Sequence, residues 1–181
     1  MAWHWAARVL FVVGAVGAVI FLLWRGKQTP EQLDLANYVE RTLPWLRSRE
    51  APVEAEIAKL DGRGAPGPDA ARKMLVDDII PSLLKLKKEA TALHAETHEV
   101  GQLHARYLAV TDRLIDACRA CVRVIDDPKL STAEGVKTIR DEFAAVRAAY
   151  ASWDADLDVL CKRHHIRLKP APSGPAPAPA H

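Results

Sequence analysis

The sequence predicts an all-α protein, in which an N-terminal transmembrane helix is followed by an elongated antiparallel helical bundle. One observation is an uncharged apolar run at residues 9–24, and the other is a pair of long heptad patterns further along the chain. A chain of 181 residues with 49% hydrophobic side chains has room for one modest core. We therefore expect a single bundle, a long coiled-coil-like hairpin plus a kinked helix, on one membrane anchor.

The apolar run is long enough to cross a membrane. Residues suited to membrane interfaces bracket it: Trp3, Trp5, Arg8, Trp24 and Arg25. A helix from the first to the last of these tryptophans spans about 30 Å, the thickness of a hydrocarbon core. A cleaved signal peptide is the alternative, but bulky residues follow the run where a cleavage site needs small ones. Residues 1–27 are therefore predicted to be an uncleaved anchor of a single-pass cell-membrane protein.

The membrane side of the remaining chain is only weakly indicated. Positive charges stand on both sides of the run, so the positive-inside rule is close to a tie. Cys118 and Cys121 would lie one turn apart on a helix, where a disulfide is strained, and free thiols favour a reducing compartment. A short N-terminus and a Pro/Ala-rich tail favour the outside. The balance favours the extracytoplasmic side by a small margin.

The first soluble segment, residues 28–61, carries a weaker heptad pattern that holds only if Glu50 occupies one of the core positions. Pro44 and Pro52 fall inside it and predict a kink or a split into two shorter helices. Residues 62–68 are rich in Gly and Pro, which indicates a flexible connector before a helix capped by Asp69.

A long helical hairpin is predicted over residues 69–168. One heptad run extends from Ile79 to Ile125 without a slip, and a second from Val136 to His164, so each predicts a long helix with one apolar seam. The link between them contains Pro128, which cannot continue the first helix.

The same link contains Ser131 and Glu134 at the spacing of a capping box, which marks the start of the second helix. Because the link is short, the two helices should be antiparallel neighbours. Matching core positions outward from the turn places Tyr107 opposite Trp153. Residues 169–181, rich in Pro and Ala, are predicted to be a disordered tail.

The first hairpin helix has an apolar face that widens beyond residue 101. The positions beside its seam become Leu103, Leu108, Val110, Ile115, Val122 and Val124. One partner helix cannot cover so wide a face. Either the first soluble helix of the same chain packs there, or a second copy or another protein does, because a monomer rarely leaves such a patch open. We predict a partner-binding face at these positions.

A cluster of histidines is the best candidate for a metal or proton site. His94 and His98 are four residues apart, and the hairpin register brings Cys161, His164 and His165 to the same end. The cluster lacks the HExxH protease pattern and the Glu-x-x-His pairs of di-iron bundles.

A further histidine, His104, falls on the seam opposite Leu157. It is either a partly buried core histidine or a proton switch, because charging a buried imidazole would loosen the hairpin.

The remaining patterns exclude several classes of protein. A net charge of +2, spread along the chain, is not typical of nucleic-acid binding. No phosphate-binding loop, nucleophile elbow or haem-attachment motif occurs, so neither an enzyme nor a cofactor is expected. The sequence favours a non-enzymatic membrane protein whose bundle serves as an interaction or scaffold module, through a protein partner or homo-oligomer. The alternative is an envelope sensor of a transition metal or protons.

Overall fold

The computed structural model describes residues 28–60, 64–127, 129–130 and 133–168. These residues form helices and connecting turns without a strand. The predicted transmembrane helix and the predicted C-terminal tail lie outside the described residues. Within the described part of the chain, no helix combines the length and the apolar character needed to cross a membrane.

Four continuous helices make up the described chain. The first consists of α1 (Pro30–Asn37), a π-helical segment π1 (Tyr38–Thr42) and α2 (Leu43–Leu60). The second consists of α3 (Pro68–Lys73), a π-helical segment π2 (Met74–Ile79) and α4 (Ile80–Thr91). The third and fourth are α5 (His98–Asp126) and α6 (Ala133–Arg163).

The four helices run alternately up and down. At one end, Asp34 of α1 bonds to Thr97 at the start of α5, and Gln32 reaches the backbone oxygen of His164 at the end of α6. At the opposite end, Arg72 of α3 pairs with Asp126, the last residue of α5, at 2.5 Å. The prediction of an antiparallel all-α bundle is confirmed.

The prediction of one continuous helix from Ile79 to Ile125 was wrong, because residues 92–97 break it into α4 and α5. The heptad run continues through this break, and neither Gly nor Pro marks it. The chain folds back here, so that α4 packs antiparallel on α5. Folding back covers the wide apolar face of α5, which one continuous helix would leave open, and this burial is the driving force.

The predicted hairpin between the last two long helices is present, with the predicted register. The rings of Tyr107 and Trp153 lie 5.5 Å apart between centroids. The Trp153 indole nitrogen also donates a 3.0 Å hydrogen bond to the backbone oxygen of Leu103. At the turn, Gly135 is buried, and a Cβ at this position would clash with the backbone oxygen of Leu130. A residue without a side chain is therefore needed where the hairpin closes.

Both π-helical segments stand immediately before a proline-containing turn. Leu43 precedes Pro44 and donates its N–H to the Tyr38 oxygen five residues back, and Ile80, which precedes Pro81, does the same to Leu75. A proline removes one helical N–H and crowds the preceding turn, and a wider π turn accommodates both effects. Pro44 and Pro81 thus widen their helices locally. The sequence predicted a kink or a split in the first soluble helix, and the split does not occur.

The start of the first helix follows local capping chemistry. Thr29 and Gln32 form a reciprocal capping box at α1, with hydrogen bonds of 3.1 and 3.3 Å. The second helix begins two residues earlier than predicted, because Gly67 is the N-cap and Pro68 the first helical residue. Asp69 therefore stands in the first turn and is not the cap.

The core consists of two apolar clusters stacked along the bundle. One includes Leu35, Leu46, Leu103 and Leu157, and the other includes Leu75, Leu83, Ile115 and Cys118. Both clusters use α5, which packs against α6, α4, π2, α3 and α1. The third helix is therefore the centre of the bundle, and the polar side chains it buries occupy the middle of the molecule.

Candidate functional site

The predicted partner-binding face lies inside the bundle. Leu103, Val110 and Ile115 are 2%, 5% and 2% exposed, and Leu108, Val122 and Val124 are half-buried. The helices that cover them belong to the same chain. Of the two alternatives that the sequence left open, packing within the chain is therefore the one observed, although the second helix contributes to it as well as the first.

The predicted metal ligands are not brought together. His94 lies in the connection before α5, and His98 is the first residue of α5, so the two do not share a helical face. The side chain of His98 instead lies 2.9 Å from the amide of Gln102. Among the described residues, no group of three or more His, Cys, Asp and Glu side chains is placed to hold a metal ion.

The C-terminal part of the predicted metal site is occupied by an ion-pair network. Glu99 accepts hydrogen bonds from His164 at 2.9 Å and from Arg163 at 2.8 Å. The hydrogen bond from His164 is the main reason that the pKa of Glu99 is lowered. Cys161 is buried nearby, and burial raises its thiol pKa to about 11. These groups tie the end of α6 to the start of α5.

His165 forms the C-terminal cap of α6. Its φ is 57°, the left-handed conformation that favours glycine. The N–H of Ile166 bonds to the Cys161 oxygen at 2.8 Å, and the N–H of His165 bonds to the Lys162 oxygen at 3.3 Å. This pair of bonds is the Schellman motif, and Ile166 packs on the apolar core as the motif requires. The backbone of His165 therefore ends the helix, while its side chain is exposed.

His104 lies in the core, as the seam position predicted. It is 7% exposed, with Nε2 at 2.9 Å from the backbone oxygen of Ala90 and Nδ1 at 3.3 Å from the hydroxyl of Tyr38. This arrangement fits a neutral imidazole that donates from Nε2 and accepts at Nδ1. Both ring nitrogens thereby have partners on neighbouring helices, which fits a core histidine. A proton switch at His104 stays a prediction.

The two thiols of the central helix are core groups. Cys118 is fully buried and Cys121 is half-buried on the same cluster. Burial raises their pKa values to about 12 and about 11. Thiols with such pKa values carry little thiolate at neutral pH, so they are poor nucleophiles and poor metal ligands.

One functional candidate that the sequence did not suggest is Asp34. Its carboxylate is 6% exposed and accepts hydrogen bonds from the backbone N–H and the hydroxyl of Thr97, at 2.8 and 2.7 Å. Thr97 is the N-cap of α5 and makes no capping bond of its own. A carboxylate from α1 therefore caps α5 and interacts favourably with its helix dipole.

The second candidate that we describe is a polar cluster, in which the carboxylate of Glu50 on α2 meets two tyrosine hydroxyls. The hydroxyl of Tyr107 donates a 2.8 Å hydrogen bond to Glu50 Oε1, and the hydroxyl of Tyr150 donates to the same oxygen. Burial raises the pKa of Glu50, although the two hydroxyl donors lower it in part. Burial and the nearby carboxylate also raise the pKa values of both tyrosines. The heptad pattern did contain a signal for this cluster, because Glu50 stood at a core position.

A small cavity lies beside this cluster. The centre of a water molecule can occupy a volume of about 10 Å³ inside it. Its lining is Glu50, Val53, Glu54, Leu83, Leu86, Thr111, Leu114 and Tyr150. The space is that of a single water molecule, so the cluster is a partly buried polar junction of helices.

Comparison with known proteins finds no family model that matches the chain. It likewise finds no match among curated proteins and none among solved structures.

Proposed function

We propose that this chain is a non-enzymatic, single-pass membrane protein whose helical bundle is an interaction module. The anchor is the apolar run at residues 9–24, and α1 begins at Pro30, six residues after the run ends. The bundle end that holds the starts of α1 and α5 then lies next to the membrane. The opposite end, with the turn between α5 and α6, projects away from it.

The projecting end carries the surface that we assign to the interaction. Leu130 and Val136 are 45% and 52% exposed there, and the half-buried Leu60 and Ile125 lie on the same end of the core. The 31 residues of α6 place this end about 45 Å from the membrane-proximal end. Contiguous exposed apolar residues mark interaction surfaces, and Leu130 with Val136 supports one at this tip.

A second copy of the chain is the partner that we propose. Two copies anchored in one membrane hold their tips at the same height, so that like surfaces meet in a symmetric pair. Gly14 and Ala18 of the apolar run form a small-xxx-small pair, a spacing that allows two spanning helices to approach closely. These features support association at both ends of the molecule.

Self-association is tested on the full chain in detergent micelles by sedimentation equilibrium. We expect a dimer that weakens at least tenfold when Leu130→Glu and Val136→Glu are combined. Val159→Glu is the matched control, because Val159 is 53% exposed on the side of α6. A monomeric wild-type chain, or a dimer that the tip variant leaves unchanged, would overturn the tip as a self-association surface.

The anchor is tested separately by resistance of the full chain to alkaline extraction from membranes. Val12→Arg combined with Val16→Arg should release the protein, because charges at the centre of a span oppose insertion. Ala7→Arg, at the edge of the run, should leave the protein in the membrane fraction. Release of the wild-type chain would show that residues 9–24 do not anchor it.

A further inference from the structure

Glu50 is an acidic side chain at a junction of three helices. It belongs to α2, while the two hydroxyls that bond to its Oε1 belong to Tyr107 on α5 and Tyr150 on α6. The two rings also pack with Trp153 in the core between these helices. One carboxyl group thus links α2 directly to both helices of the central hairpin.

The surroundings of this carboxyl group are apolar or uncharged apart from two groups on its own helix. Glu54 and Arg47 lie one turn away on either side, and Glu54 raises the pKa of Glu50 while Arg47 lowers it. The second helix presents Leu83 and Leu86 to the same cavity.

The other titratable groups that face Glu50 are hydroxyls. They are Tyr38 of π1, Tyr107 of α5 and Tyr150 of α6. Within the described part of the chain, no cation lines the cavity or forms an ion pair with Glu50. An ionised Glu50 is therefore stabilised mainly by hydroxyl donors, with a smaller contribution from Arg47 one turn away.

We propose that Glu50 is a proton-controlled latch, which holds α2 firmly on α5 and α6 when its carboxyl group is protonated and loosens α2 when it is ionised. The uncharged carboxyl group still accepts the two hydroxyl bonds and avoids placing a charge among Val53, Leu83 and Leu114. The ionised group is better solvated by water, and an outward movement of α2 would give water fuller access to this partly buried carboxyl group.

The direction of the pH response follows from the balance between burial and hydrogen bonding. Burial is the larger effect and raises the pKa of Glu50 above its ordinary value. The stabilisation provided by the uncharged group is therefore fully present below the pKa of the unfolded chain, and it is lost as the pH rises through the folded-state pKa. The latch tightens on acidification and loosens towards neutral pH.

The position of Glu50 on α2 makes this helix the part that responds. Pro52 lies inside α2, two residues after Glu50, and removes one backbone hydrogen bond of the helix. A helix weakened at this point depends more on its packing against α4 and π2 and on the hydroxyl bonds that join Glu50 to α5 and α6. The latch acts through a carboxyl group of α2, and so it is distinct from a switch at His104.

The direct test is a ¹³C NMR titration of the side-chain carboxyl carbons in the full chain, in detergent micelles. The Glu50 resonance is identified by its absence in Glu50→Gln. We expect Glu50 to titrate at a higher pH than an ordinary glutamate side chain. Tyr150→Phe removes a hydrogen bond that favours the ionised form, so it should raise the midpoint of Glu50 further. Titration of Glu50 at or below the ordinary glutamate value would overturn the latch.

The mechanical part of the latch is tested by amide hydrogen exchange, corrected for the intrinsic pH dependence of exchange. Protection of residues 46–60 relative to α5 should fall between acid and neutral pH in the wild-type chain and stay constant in Glu50→Gln. The melting temperature of Glu50→Gln relative to wild type should rise by about 3–5 °C per pH unit between the unfolded-state and folded-state pKa of Glu50, and should level off above the latter. Glu40→Gln, at an exposed position of π1, is the matched control and should behave as wild type. An unchanged pH response in Glu50→Gln would refute the proposal.

Discussion

Asp34 and His104 are buried polar side chains and Glu50 is a partly buried one, and each bonds to a residue outside its own helical segment. Asp34 caps α5 through Thr97, Glu50 receives hydroxyl bonds from α5 and α6, and His104 joins π1 to the end of α4. Among the described residues, no fully buried side-chain nitrogen or oxygen lacks a hydrogen-bond partner. Such bonds are directional, so they favour this arrangement of helices over other packings of the same leucines.

Replacement of Asp34 tests this role at the level of one residue. Asp34→Ala leaves the N–H and hydroxyl of Thr97 without their buried acceptor, which should lower the free energy of unfolding by about 1–3 kcal/mol. Chemical denaturation of the full chain in detergent measures this change. Asp34→Asn, which retains an acceptor oxygen, should lose less, and Glu40→Ala on the exposed side of the same helix should be neutral. Equal stability of Asp34→Ala and wild type would contradict the capping role.

Two of these three polar residues could be identified from the sequence, and the third could not. Glu50 was visible as a charge at a core position of a heptad pattern, and His104 as a histidine on the seam. Asp34 gave no signal, because its partner Thr97 is 63 residues away and becomes a helix start only after the chain folds back. Polar contacts between distant segments depend on tertiary packing, which periodicity does not describe.

At the scale of the elements, heptad spacing predicted the existence and the pairing of the last two helices well. Tyr107 lies against Trp153 as the register required. The spacing failed at residues 92–97, because apolar periodicity can continue through a turn when both flanking helices present the same seam. That failure also removed the basis of the metal prediction, since His94 and His98 share a helical face only if the helix is unbroken.

The cap of α6 yields a prediction at this scale. His165 adopts a left-handed conformation at φ 57°, in which a Cβ is unfavourable. His165→Gly should therefore stabilise the bundle by about 1 kcal/mol, measured as a raised denaturation midpoint at an unchanged slope. His165→Ala retains the Cβ, so it should bring no comparable gain. A stabilising alanine variant, or a neutral glycine variant, would show that the histidine side chain matters more than the backbone conformation.

At the scale of the whole molecule, the central position of α5 accounts for its wide apolar face. Its neighbours within the chain, α1, α3, π2, α4 and α6, surround it, and Leu103 and Ile115 each remain only 2% exposed. The predicted partner surface is therefore the main core of the bundle. The exposed apolar side chains lie elsewhere, and Leu130 and Val136 at the tip are among them.

A charge placed on α5 tests whether its apolar face serves as the core of the bundle or as a surface that binds a partner. Ile115→Glu should lower the free energy of unfolding by at least about 3 kcal/mol, because it buries a carboxyl group without a partner and removes a packed side chain. Thermal unfolding followed by circular dichroism measures this loss. Val159→Glu, at an exposed position, should change stability by less than about 0.5 kcal/mol. An Ile115→Glu variant that melts as wild type but no longer associates would show that this face binds a partner.

The sequence alone determined the all-α class, the hairpin of α5 and α6 and its register, and the candidate anchor, because each depends on periodicity or composition within one segment. Tertiary structure alone decided that the chain folds back between α4 and α5, that the widest apolar face is internal, and that the histidine cluster is not assembled. It also placed Glu50 between two tyrosines from separate helices. The physical reason is that burial and hydrogen bonding between distant segments depend on which faces meet, and several arrangements satisfy the same local pattern.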